Sequence, residues 1–122
     1  DVLAVSTTTL DMLGKALSPE DKVFIKIDVE GHENHVLRGG RNLLLSMRPI
    51  ILCEILPDVS NVDEVVELIA GVNYTVFAIC HEGVFRVAMG DLKKRRNYTD
   101  YLLIPVEDVD LCGNYYGFDA LP

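Results

Sequence analysis

An α/β fold with parallel strands is what this sequence predicts, and three observations carry the prediction. Strand-like and helix-like apolar patterns alternate along the chain. The run "PIILCEIL", Pro49 to Leu56, is almost continuously apolar, as strands buried on both faces are. The 122 residues are 49% hydrophobic and 25% charged, which suits one domain with a packed core rather than a disordered chain.

The elements follow in order. "VLAV", Val2 to Val5, is a short strand candidate. Thr8 or Thr9 can cap the helix after it, which carries Leu10, Leu13 and Leu17 at helical spacing. Ser18-Pro19-Glu20-Asp21 closes that helix as a turn, and "KVFIKIDV" then reads as a strand. Between Glu33 and Met47, the residues Val36, Leu37, Leu43, Leu44 and Met47 fall on one helical stripe. Gly39-Gly40 interrupts it, and each glycine costs a helix about 1 kcal/mol relative to alanine. A kink or two short helices are expected there. Pro49 opens the strongest strand. Ser60 begins the next helix, with Asp63 placed as in a capping box, Val62, Val65, Val66 and Ile69 as the apolar stripe, and Gly71 at the C-terminus. "YTVFAIC" and "GVFRVAM" are strands joined at His81-Glu82-Gly83, and "DYLLIPV", Asp100 to Val106, is the last strand. The hairpin-like join makes that end of the sheet antiparallel or mixed. A right-handed crossover puts the 33–47 helix over one face. Residues 1–106 thus form the folded portion, and 107–122 an acidic, aromatic tail without periodicity.

The net charge of −8 argues against a nucleic-acid footprint and against docking on anionic lipid. The basic run Lys93-Lys94-Arg95-Arg96 reads as a solvated loop. No apolar run approaches the roughly 20 residues that cross a bilayer. Cys53, Cys80 and Cys112 lack metal-ligand spacing. Cys53 and Cys80 lie in strands and read as buried free thiols, which favours a reducing compartment such as the cytoplasm. Asn73 and Asn97 head Asn-x-Thr triplets, a pattern short enough to arise by chance. The start at Asp1, without a methionine or a leader, points to a piece cut from a longer protein.

The stretch "IKIDVEGHE", Ile25 to Glu33, stands out because a strand bound for a core ends in three carboxylates. Alternation puts Val23, Ile25, Ile27 and Val29 on one face and Phe24, Lys26, Asp28 and Glu30 on the other. Lys26 and Asp28 can pair. Glu54 ends the next strand and comes within reach of Asp28 and Glu30 if the two strands are neighbours. Ligands of open α/β sheets bind beyond the carboxyl ends of such strands. Gly31 supplies a backbone conformation that other residues resist. Glu33 suits the positive end of a helix dipole. His32 is of a residue type that can act as a general base near neutral pH, while His35 and His81 carry a weaker case. Glu54 in an apolar strand needs a partner or a function.

At these residues the sequence resembles the FkbM family of S-adenosylmethionine-dependent methyltransferases. "TTTLDML" (Thr7 to Leu13), "FIKIDVEGHENHVLRGG" (Phe24 to Gly40), "RPIILCEI" (Arg48 to Ile55) and the late "NYTDYLLIP" carry the likeness, over residues 2–105. The resemblance implies the class I methyltransferase fold, a Rossmann-like doubly wound sheet of seven strands. No glycine-rich phosphate or ribose loop occurs in this chain, so the likeness falls on the C-terminal half of that domain. The N-terminal half of the same domain becomes its expected partner. It implies a transferase whose cofactor is S-adenosylmethionine and whose acceptor is a hydroxyl of a sugar, glycan, lipid or polyketide-like small molecule. Asp28, Glu30 and Gly31 would contact the cofactor. Asp28, and after it His32, would take the acceptor's proton or orient it. Glu33, Glu54 and Lys26 would bind substrate or support the site.

Two other readings use the same residues. Asp28, Glu30 and Glu54 could ligate magnesium or manganese in a hydrolase or phosphotransferase, although the methyltransferase reading assigns no metal site. A partial domain could also serve as a non-catalytic module with a bare sheet edge.

Overall fold

A computed structural model describes residues 1–113 of the chain. The elements are α1 (Leu10–Gly14), β1 (Phe24–Ile27), α2 (Glu33–Gly39), α3 (Arg41–Met47), β2 (Ile50–Glu54), α4 (Val62–Gly71), β3 (Tyr74–Cys80), β4 (Gly83–Val87) and β5 (Asp100–Pro105). Short 3-10 helices span Met89–Lys93 and Val106–Cys112. Residues 114–122, most of the predicted tail, lie outside the described residues.

The five strands form one mixed sheet in the order β1-β2-β5-β3-β4. Only β1 and β2 pair in parallel. β5 runs antiparallel to both β2 and β3, and β4 antiparallel to β3. β1, β2 and β3 therefore point the same way and end at one edge of the sheet. The α/β class and the antiparallel end match the sequence reading. Parallel pairing is narrower than expected, because β5 returns between β2 and β3 and separates them.

The register builds two apolar rows. Ile27, Cys53, Tyr101 and Ala78 are successive partners, as are Ile25, Ile51, Leu103 and Val76. Leu37, Leu43 and Leu44 of α2 and α3, with Val62, Val65 and Ile69 of α4, join these rows in one buried cluster. The helical stripes thus cover the same face of the sheet. β2 departs from the expected burial on both faces. Ile51 and Cys53 are buried, whereas Ile50, Leu52 and Glu54 are half-buried. Its second face meets no helix stripe of this cluster.

Gly39-Gly40 does split the predicted helix into two. Gly40 also admits α1 closely, for a Cβ there would stand 2.8 Å from Leu10 Cδ1. Thr9 caps α1 by accepting from Met12 N–H at 3.2 Å. Asp11 reaches the start of α3 and accepts from Leu43 N–H at 2.8 Å. α2 and α4 are tied where Asn34 Nδ2 donates to Glu64 at 2.6 Å, beside the Arg38–Glu64 ion pair.

Four local readings are corrected. Val2–Val5 forms no strand and is exposed, since a lone four-residue segment has no ladder partner among the described residues. α1 stops at Gly14, so Leu17 lies beyond it. β1 ends at Ile27, and the in-out alternation stops before Glu30, whose φ is +48°. Asn61, not Ser60, caps α4, accepting from Glu64 N–H at 3.4 Å.

At the edge where β2 and β3 begin, Arg48 ends α3 in a left-handed conformation, φ +50°. Its guanidinium donates to Val72 O at 2.6 Å, Asn73 O at 3.0 Å, Leu44 O at 3.4 Å and both Glu107 oxygens at 2.6 and 2.9 Å. It also lies 4.8 Å over the Tyr74 ring, whose hydroxyl donates to Pro49 O at 2.8 Å. The first turn of the predicted tail is thereby bound to the body of the domain.

Candidate functional site

The opposite edge, where β1, β2 and β3 end, gathers the carboxylates. Ile27 sits opposite Cys53, so Asp28 and Glu54 leave adjacent parallel strands side by side. The next register pair sets Asp100 opposite Glu54. Partial burial first, and then the Asp28, Asp100 and Glu30 carboxylates, push Glu54 above the ordinary carboxylate range. Lys26 pairs with Asp28 at 3.6 Å, as alternation predicted, with both side chains well exposed. Beneath them the Cys53 thiol is buried. Burial, with Glu33, Glu54 and Asp100 nearby, pushes it up to about 12, so it stays protonated and is no nucleophile.

The turn after β1 is unusual. Glu30 and Gly31 both have positive φ, +48° and +98°. For glutamate that conformation costs about 1 kcal/mol. At Gly31 a side chain is excluded twice over, by the φ and by Val59 O, which a Cβ would meet at 2.8 Å. Glu33 opens α2 and is 1% exposed. Its Oε1 accepts from Gly31 N–H at 2.9 Å and its Oε2 from the Ser60 hydroxyl at 2.7 Å. Ser60 Oγ in turn accepts from Leu56 N–H at 3.1 Å. Glu33 therefore faces the interior of the loop pair, and its role exceeds the helix-end placement expected of it. His32 precedes α2 without a side-chain cap bond, and its exposed ring lies 5.8 Å from that of His35.

The same edge holds a cleft of about 250 Å³ between the ends of β3 and β5, lined by His81, Glu82, Asn97, Tyr98, Thr99 and Asp100 among others. None of its lining residues is a lysine or arginine. Ile55 N–H donates to Thr99 O at 2.9 Å, joining the cleft wall to the end of β2. Asp28, Glu54, Lys26 and Glu30 are thus brought to one edge. Ser60 and Asp100 are additions that sequence reasoning missed. Ser60 looked like a helix cap, and Asp100 like the polar start of a strand.

Elsewhere the basic run is matched by acids: Lys93 pairs with Asp63, Lys94 with Asp91 and Arg95 with Asp58. Among the described residues no group of three or more His, Cys, Asp or Glu is placed to hold a metal ion. No described helix is long and apolar enough to cross a membrane.

In comparison with known proteins, a family model described as the methyltransferase FkbM domain matches residues 1–87. The comparisons with curated proteins and with solved structures return no match.

Proposed function

Because the chain belongs to the FkbM methyltransferase domain family, we propose that it takes part in S-adenosylmethionine-dependent methyl transfer to a hydroxyl oxygen. The observation that carries this reading is the carboxylate edge, where Asp28, Glu54 and Asp100 stand side by side on neighbouring strands. Such a donor set suits a cationic ligand, and S-adenosylmethionine is cationic at its sulfonium and ammonium groups. Asp28, Glu30 and the Gly31 backbone are the residues that would hold it. When bound, it supplies an electrophilic methyl group. Its nucleotide end would fall to the N-terminal half of such a domain, for the 122 residues contain no glycine-rich phosphate or ribose loop.

The chain's own residues then divide the work. Asp28 takes the acceptor hydroxyl proton on a carboxylate oxygen, with the Lys26 ammonium 3.6 Å from that carboxylate. His32 is the second candidate for that proton. Glu54 and Asp100 face the acceptor side. The cleft beside them offers amide, hydroxyl and carboxylate groups and no lysine or arginine, a lining suited to a neutral, hydroxylated acceptor. A sugar, glycan or polyketide-like hydroxyl compound has that chemistry.

Calorimetry on the full-length protein tests the reading. S-adenosylmethionine is expected to bind, and Asp28→Asn with Glu54→Gln together to weaken it more than they weaken S-adenosylhomocysteine, whose sulfur is neutral. No binding of either compound would overturn it.

A further inference from the structure

Two loops leave the sheet side by side after β1 and β2, two contacts join them, and a hydrogen bond within each loop braces the junction. Glu33, 1% exposed, accepts from Gly31 N–H at 2.9 Å and from the Ser60 hydroxyl at 2.7 Å. Ser60, also buried, accepts from Leu56 N–H at 3.1 Å. The Gly31 backbone packs so closely on Val59 O that a Cβ would fall 2.8 Å from it. A buried carboxylate is costly unless hydrogen bonds answer it. Here the answering donors come from both loops, 27 residues apart along the chain for the Glu33–Ser60 bond. The bond to Gly31 N–H also secures the one place among the described residues where two successive residues adopt positive φ.

We propose that Glu33 and Ser60 are positioning residues, forming a clasp that fixes the 28–33 turn against the 55–60 loop. Asp28 enters one clasped loop and Glu54 precedes the other, so beyond the β1–β2 ladder the clasp holds the two carboxylates at a fixed spacing. Strand-end loops in α/β sheets are where ligands are met, and the clasp makes two such loops move as one. Its effect on methyl transfer rests on the methyltransferase reading; its effect on the loops does not.

The test uses the full-length protein with Glu33→Ala, Ser60→Ala and Glu33→Gln. Glutamine keeps an oxygen for Gly31 N–H and gains a donor for Ser60 Oγ. Hydrogen exchange is read in peptides covering 28–34 and 55–61, and S-adenosylmethionine affinity by calorimetry. Glu33→Ala is expected to speed exchange in both segments at once and to weaken binding about tenfold. Ser60→Ala should do the same to a smaller degree, and Glu33→Gln should restore both readouts to within about threefold of the parent. Faster exchange confined to 28–34 would overturn the clasp. Faster exchange in both segments with unchanged affinity and turnover would overturn the positioning role. If the parent binds no S-adenosylmethionine yet both segments loosen together, the methyltransferase reading fails and the clasp stands.

Discussion

At the edge where β2 and β3 begin, Arg48 donates to five oxygen atoms: three backbone carbonyls and both oxygens of Glu107. At the edge where β1, β2 and β3 end, Asp28, Glu54 and Asp100 stand together, with Lys26 at 3.6 Å from Asp28 as the near cation. One end satisfies its charge with unlike partners, and the other crowds like charges into a few residues. An arrangement that lowers stability locally is what a ligand-facing edge shows, because its partners arrive with the ligand. The first edge ties the fold together, and the second is where the proposed chemistry falls.

The largest expected effect breaks this division at the chemical edge. Asp28→Asn should lower methyl transfer by about 100-fold or more while leaving the urea midpoint unchanged. Full turnover in a folded, cofactor-binding variant would remove Asp28 from the mechanism. Next comes the structural edge. Arg48→Ala leaves the part-buried Leu44 and Val72 carbonyls without this donor and should lower unfolding free energy by about 2 kcal/mol. Its cofactor affinity per folded molecule should stay as in the parent, and a matching loss of affinity would show that the two edges are coupled.

The smallest effect is a difference of sign. Hydrogen bonding to Arg48 holds the Glu107 carboxyl down at about 2 against an ordinary 4.5. Its folded pKa lies below the unfolded one, so its stabilisation is full above the ordinary value and is lost as pH falls toward 2. The side chain is half exposed, which leaves about 1 kcal/mol after screening. Glu54 is shifted the other way, so its ionisation destabilises the fold above its raised pKa and not below the ordinary range. At pH 7 Glu107→Gln should therefore lower the urea midpoint, and Glu54→Gln should raise it slightly, by about 0.5 kcal/mol or less. Both differences should fade as the melts are repeated toward pH 2. Shifts of the same sign at pH 7 would erase the contrast.

The sequence made much of this legible, because β2, β3, β4 and α4 carry local periodicity that survives into the structure. Asp28 and Glu54 could be paired in advance, since two consecutive strands joined by a helix tend to lie parallel and adjacent. What stayed hidden depends on distant partners. Arg48 looked like an ordinary residue before a proline, and its acceptors are carbonyls of a turn more than twenty residues later. Ser60 had the look of a helix cap, yet a buried carboxylate claims its hydroxyl. Val2–Val5 had strand composition, but composition does not supply a neighbour to pair with.

The place of β5 has a consequence for how the molecule comes into being. β2 and β3 share no ladder, and each pairs instead with β5 between them. Synthesis at roughly 5–20 residues per second delivers β1 through β4 first. Until residues 100–105 emerge, no ladder can join β2 to the β3–β4 hairpin. The final strand works like the closing stitch of a seam, joining the carboxylate-bearing pair to the hairpin in one step. Asp100 therefore meets Glu54 only when β5 seats, and the acidic edge is complete only when the sheet is.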